Sequence, residues 1–129
     1  MPLVRIDVQE GRTAEQLRRI ADVVQEAMLD VFAAPARDRY QIITEHPVGQ
    51  IIVQDTGLGI ERSDGVVVLQ IFEQGRDAEQ KQAAYAALSE RLEARCGVRP
   101  EDLIVSMTEN TPADWSFGMG RAQFLTGEL

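Results

Sequence analysis

One hexapeptide occurs twice in this chain. Gly11-Arg12-Thr13-Ala14-Glu15-Gln16 returns 64 positions on as Gly75-Arg76-Asp77-Ala78-Glu79-Gln80, with five of six residues identical. That offset is half of the 129 residues, so the chain reads as a duplication with halves of about 1–63 and 64–129. Thr44-Glu45 and Thr108-Glu109 keep the offset, and Pro47 and Pro112 follow it with one residue slipped. At this length the two halves make a single domain, 1–129, able to bury a real core.

Each half reads as strand, helix, strand. Val4, Ile6 and Val8 alternate with Leu3, Arg5 and Asp7, the period of a half-buried strand. Thr13 with Gln16 forms a capping box, and Leu17, Ile20, Ala21, Val24, Met28, Val31 and Phe32 follow at helical spacing. Pro35 ends that helix, and Tyr40 to Glu45 reads as the second strand. In the second half, Val66 to Phe72 is an apolar run that predicts a strand buried on both faces. Asp77 and Gln80 repeat the box, while Ala84, Tyr85, Leu88 and Leu92 repeat the stripe. Gly97 closes the second helix, and Leu103 to Met107 is the returning strand. A further short strand is expected at Gln50 to Val53. The fold class is α+β: a duplicated β-α-β unit with both helices on one face of a small mixed sheet. The other face is then apolar and uncovered, which calls for self-association.

Thirteen basic against twenty-one acidic residues leave a net charge of −8, the wrong sign for nucleic acid or an anionic membrane. An anionic ligand would need a local arginine cluster to overcome that field. The one cysteine, Cys96, has no partner for an internal disulfide, in keeping with a reducing compartment. Neither a signal-type start nor an apolar run of membrane length is present, so a cytoplasmic location is expected.

Standard catalytic signatures are missing. His46 has no cysteine or histidine companions for a metal, and reads as a surface residue in a turn. Cys96, beside the Gly97 cap, reads as a small buried hydrophobe. Asp55-Thr56-Gly57-Leu58-Gly59 is a tight loop, not a phosphate loop, since no helix and no Lys-Ser/Thr pair follows. What remains is Pro2. Loss of Met1 before so small a residue would expose a secondary amine, which can act near neutrality as acid, base or nucleophile.

Several segments together make the chain similar to the tautomerase superfamily and, within it, to the malonate semialdehyde decarboxylase branch. They are Glu10-Gly11-Arg12-Thr13, Asp38-Arg39-Tyr40-Gln41, Asp55-Thr56-Gly57-Leu58-Gly59 with Arg62-Ser63, and the tail. That tail comprises Ala113-Asp114-Trp115-Ser116-Phe117-Gly118, Gly120-Arg121-Ala122 and Phe124-Leu125-Thr126-Gly127. The resemblance implies a homotrimer of double β-α-β chains without metal or other cofactor. It implies Pro2 as the catalytic amine and Asp38 as its acidic partner. Arg76 would hold the substrate carboxylate. Gln74 stands where the branch carries a second arginine, and Met119 replaces another in the Gly-x-Gly segment. Trp115, Phe117, Phe124 and Leu129 match an apolar wall of the site. Arg76 also equals Arg12 in the repeat, which allows a scaffold role, and Arg39, Arg62 and Arg121 are open to surface or interface roles.

The implied activity is a carbon–carbon lyase, decarboxylating a small anionic 3-oxo acid with Pro2 as acid or as iminium-forming amine. Two alternatives stand beside it. One is a superfamily hydratase or keto–enol tautomerase acting on 2-oxo or unsaturated acids. The other is a non-catalytic trimeric binding protein, as in the macrophage migration inhibitory factor branch.

Overall fold

Both long helices start at residues whose side chains replace missing helical hydrogen bonds. The computed structural model describes residues 2–129. In it, Thr13 Oγ1 accepts from the Gln16 amide at 3.1 Å, and Gln16 Oε1 accepts from the Thr13 amide at 2.8 Å. Asp77 and Gln80 repeat the exchange at 2.8 and 3.0 Å. Helices α1 (Ala14–Phe32) and α2 (Ala78–Cys96) follow. Gly97 ends α2 with φ +67°, a conformation that costs glycine nothing, whereas α1 ends on Ala33 at φ +51° ahead of Pro35.

Four strands complete the two halves: β1 (Leu3–Gln9), β2 (Tyr40–His46), β3 (Val67–Glu73) and β4 (Leu103–Glu109). They form one sheet in the order β2-β1-β3-β4. The central pair is antiparallel, with Leu3 opposite Phe72 and Val8 opposite Val67, and each outer pair is parallel. The halves are thus related by a pseudo-twofold between β1 and β3. This is the α+β duplicated β-α-β architecture expected from the repeat. A short helix α3 (Gln123–Thr126) lies in the tail.

Val4, Ile6 and Val8 of β1 and Val67, Leu69 and Ile71 of β3 face the helices. They meet Ile20, Val24 and Met28 of α1 and Ala84, Leu88 and Leu92 of α2. Each large side chain so buried contributes roughly 1.5–3 kcal/mol. The α2 stripe is narrower than its spacing suggests, since Tyr85 is exposed.

Three further expectations need correcting. First, β3 is covered on one face only: Val67, Leu69, Ile71 and Glu73 are buried, while Gln70 is exposed and Val68 and Phe72 half-buried. Second, Gln50 to Val53 is not a strand; it pairs with none of the four and runs as loop. Third, His46 ends β2, where its Nε2 lies 2.7 Å from Asp7 Oδ1, so it belongs to the sheet and not to a turn. The open face is also less apolar than expected. One cross-strand row reads Tyr40, Leu3, Phe72 and Thr108, and the next reads Ile42, Arg5, Gln70 and Ser106. Among the described residues no helix is long and apolar enough to cross a membrane.

Candidate active site

Strand register gathers the expected site residues at one end of the sheet. Continuing β1 one residue back from Leu3 sets Pro2 opposite Glu73 of β3 and beside Arg39, just ahead of β2. Pro2 is buried. Asp38 precedes Arg39 in a turn whose amide bonds to the Pro35 carbonyl at 2.9 Å, and its side chain is half-buried. Gln74-Gly75-Arg76 leaves the same end of β3 and leads into α2.

Arg76 is held as a scaffold residue in part. Its Nη1 donates to the Gln74 carbonyl at 3.0 Å, and its Nη2 donates to the Phe32 carbonyl at 3.0 Å. The guanidinium carbon lies 5.0 Å from the centre of the Phe32 ring, a cation–π contact. A guanidinium has five N–H groups, of which two are used here, and the buried Nε has no partner. Gln74 Oε1 is likewise buried without a partner.

The tail folds back over the open face at this end. Asn110 donates its amide to the Glu73 carbonyl at 2.7 Å and accepts Trp115 Nε1 at 2.9 Å. Trp115 stacks on Phe117 at 5.3 Å between centroids, and Phe117 meets Phe124 edge-on at 5.4 Å and Tyr40 at 5.6 Å. Leu3, Phe72, Asn110, Asp114 and Trp115 line a depression of about 190 Å³. Thr111 donates its N–H and O–H to the Asp114 carboxylate, which holds that carboxyl below its ordinary range. Leu129 does not join the aromatic group; it is exposed, as is Met119.

The other arginines are engaged elsewhere in the chain. Arg39 bonds Asp22 at 2.6 Å and Gln41 at 2.8 Å. Arg62 ties down the carbonyls of Gln54 and Glu101, and Arg121 lies 3.5 Å from Glu128. None of the three fills the gap at Gln74. A larger charged depression, lined by Glu15, Arg18, Arg19, Asp22 and Arg95, lies at the far end of the sheet where α1 begins. Burial pushes the Cys96 thiol up, away from the thiolate a nucleophile needs. Among the described residues no cluster of His, Cys, Asp and Glu is arranged to hold a metal.

Two residues escaped the sequence reading. Glu73 is buried at the end of β3, where a polar residue reads as a strand terminus. Asp102 is buried 64 positions after Asp38, so the repeat offset carried a signal for it.

Comparison with known proteins bears on the fold and the family. Two family models, both described as tautomerase enzyme, match residues 38–118 and 2–61. The probable tautomerase YrdN of Bacillus subtilis (strain 168) is 50% identical over 129 residues, covering 100% of both chains. A crystallographic study of malonate semialdehyde decarboxylase, concerned with its decarboxylase and hydratase activities, provides a structure at TM-score 0.95. It is 46% identical and covers 98% of each chain. The FG41 malonate semialdehyde decarboxylase inhibited by 3-bromopropiolate superposes with TM-score 0.94 at 51% identity, over 98% of this chain and 97% of that one.

Proposed function

The chain belongs to the tautomerase family, and on that premise we propose that it is a cofactor-free lyase of the malonate semialdehyde decarboxylase type. Its substrate would be a small 3-oxo carboxylic acid, and its working group the amine of Pro2. The observation that carries this reading is the whole-chain likeness to two such decarboxylases, at 46% and 51% identity. The convergence of Pro2, Asp38, Arg76 and the aromatic tail at one sheet end supports it.

A 3-oxo acid loses CO2 when its carbonyl can take up the electron pair of the breaking carbon–carbon bond. The Pro2 ammonium donates to the carbonyl oxygen and stabilises the enolate; alternatively the amine condenses with the aldehyde to an iminium, a stronger electron sink. Either route needs the free amine and so needs Met1 removed; Met1 lies outside the described residues. Asp38 favours the charged amine and Arg76 opposes it. The free N–H groups of Arg76 grip the carboxylate, and the aromatic wall disfavours that anion relative to neutral CO2.

Gln74 and Met119, where the branch carries arginines, favour a second reading as a hydratase or tautomerase. Three assays separate the two. CO2 release from malonate semialdehyde is expected. Hydration of 2-oxo-3-pentynoate or ketonisation of phenylenolpyruvate, without CO2 release, would replace it by the second reading, and no turnover of any would leave a binding protein. As one relative is inhibited by 3-bromopropiolate, that reagent should add mass to the Pro2 peptide. The open sheet face, with Tyr40 and Ile42 exposed, supports a homotrimer. A monomer by light scattering at micromolar concentration would refute it.

A further inference from the structure

A carboxylate is seldom buried unless cations or donors hold it. Glu73 is 1% exposed, and neither side-chain oxygen has a hydrogen bond. Lys81 Nζ, in the first turn of α2, stands 3.5 Å from Oε1 as an ion pair. Among the described residues five buried side-chain polar atoms lack a hydrogen-bond partner, and four of them belong to Glu73, Gln74 and Arg76. Unsatisfied buried groups are rare in folded proteins, so such a concentration marks a place where donors and acceptors await something further.

The strand register locates Glu73 relative to the start of β1. Val8 ends the buried row of β1 and is paired across the centre with Val67. Glu73 likewise ends the buried row of β3, one residue out of step with the sequence repeat, and one register step beyond Leu3–Phe72 sets Pro2 opposite it. The pair Pro2 and Glu73 therefore occupies the place that Val67 and Val8 occupy at the other end. Val8 and Val67 are both 0% exposed, as the covered face demands. At the Pro2 end the equivalent of Val8 is a carboxylate. Directly opposed residues on one face of an antiparallel pair have Cβ atoms about 4.5–5.5 Å apart, within reach of a side-chain contact.

We propose that Glu73 is a positioning residue for the Pro2 amine, its carboxylate accepting from the secondary ammonium and holding it in the proton-donating form. The inference rests on the reading of Pro2 as the working amine. While Met1 is attached, the Pro2 nitrogen carries no hydrogen. Once Met1 is released the nitrogen offers two N–H groups, which suit the open oxygens of Glu73. The charged groups around the pair come from every neighbouring element. Lys81 of α2, Arg76 of the preceding loop and Arg39 beside Pro2, the last paired with Asp22 of α1, favour the neutral amine. Asp38 of the turn before β2 and Glu109, paired with Glu73 in β4, favour the ammonium together with Glu73. On α1, Glu26 and Asp30 are tied to Arg91 and Arg95. Of the acidic groups facing the amine, Glu73 is the buried one, so water screens it least.

The test is a pH titration of the Pro2 ¹⁵N signal in full-length protein labelled with ¹⁵N-proline. Intact mass comes first, and retention of Met1 would overturn this inference together with the proposed function. In Glu73→Gln, which keeps the shape and removes the charge, the midpoint should fall by about one pH unit or more. The high-pH loss of kcat should move down with it, while KM stays as it was. An unmoved midpoint in a folded variant overturns the inference, and continued CO2 release would show that the proposed function survives. If Glu73→Gln does not fold, Lys81→Met decides: removal of the competing cation should raise the midpoint, and no rise overturns the inference.

Discussion

Asp102 at one end of the sheet is held by the chain's own donors, whereas its repeat equivalent Asp38 at the other end is not. Of the paired arginines, Arg12 makes one hydrogen bond to the protein and Arg76 makes two. Arg12 Nη2 donates to the Gly65 carbonyl at 2.8 Å, and burial lowers its pKa against the opposing pull of Asp102. Asp102 accepts from the Ser63 amide at 2.7 Å and from Ser63 Oγ at 2.5 Å. A methyl group at Gly65 would come within 3.3 to 3.5 Å of Ser63, Asp102 and Arg12, so this end has no room to spare. Arg76 keeps an unpartnered buried Nε, and among the described residues nothing donates to the Asp38 carboxylate. Before β3 the connection from β2 brings Ser63 and Gly65 onto the charged pair. At the other end the Arg76 guanidinium is met instead by the carbonyls of Gln74 and Phe32. One duplicated frame thus yields an end whose buried carboxylate is satisfied within the chain and an end where buried polar atoms of Glu73, Gln74 and Arg76 lack partners.

Removal of each arginine is expected to separate the two ends most strongly. Stripping a buried charged partner costs roughly 3–5 kcal/mol. Arg76→Ala should therefore lower kcat/KM on the order of a hundredfold to a few thousandfold. Steady-state kinetics showing a loss under tenfold would mean that the anion is held elsewhere and that both ends are scaffold. Arg12→Ala, by contrast, should leave the folded enzyme within about threefold of wild-type turnover.

At the Asp102 end the expected effect is on stability. Asp102→Ala strands the Ser63 donors and the neighbouring Arg12, so urea unfolding should show a loss of about 2–4 kcal/mol. A loss below about 0.5 kcal/mol would mean that the Asp102 end is not structural. A smaller change tests the gap beside Arg76. Gln74→Arg should add a charged hydrogen bond to the substrate carboxylate and lower KM by about tenfold. An unchanged KM would show that position 74 does not face the substrate.

The smallest effect concerns a loop that serves neither end. Gly57 and Gly59 donate their amides to the Asp55 carboxylate at 3.0 and 2.9 Å, and these bonds hold its pKa below the ordinary value. A carboxyl depressed in the folded state stabilises above its unfolded pKa, and that contribution is lost as pH falls through the lower, folded value. Hydrogen exchange at Gly57 and Gly59 should then show steady protection between pH 7 and 5 and loss below about pH 4. Protection that ignores pH, or that survives Asp55→Asn, would detach the loop from its aspartate.

Where a feature rests on neighbours in the chain, the residues announced it. The capping boxes at Thr13 and Asp77 and the stop at Gly97 are local hydrogen-bond arrangements, and they stand where the spacing puts them. Where a feature depends on a distant partner, reading failed or stopped short. Gln50 to Val53 has strand composition but finds no strand to pair with, and the run Val66 to Phe72 is covered on one face only. The aromatic residues of the tail were legible as a group through resemblance. Their seat over Leu3, Phe72 and Tyr40 was not, because nothing within residues 110–129 names the strand they return to.

The duplication, the two β-α-β units and the family are legible in the residues alone, because each is written in local spacing or in whole-chain similarity. What packs against each copy of a repeated residue is set by the tertiary structure. Arg12 and Arg76 are the same residue in the same motif, as are Asp38 and Asp102 at the same offset. A charged group is released or consumed by the donors and acceptors that pack against it, and those come from elsewhere in the chain: Ser63 and Gly65 at one end, Phe32 and Gln74 at the other. That accounting is a property of the folded sheet. No window of sequence contains it.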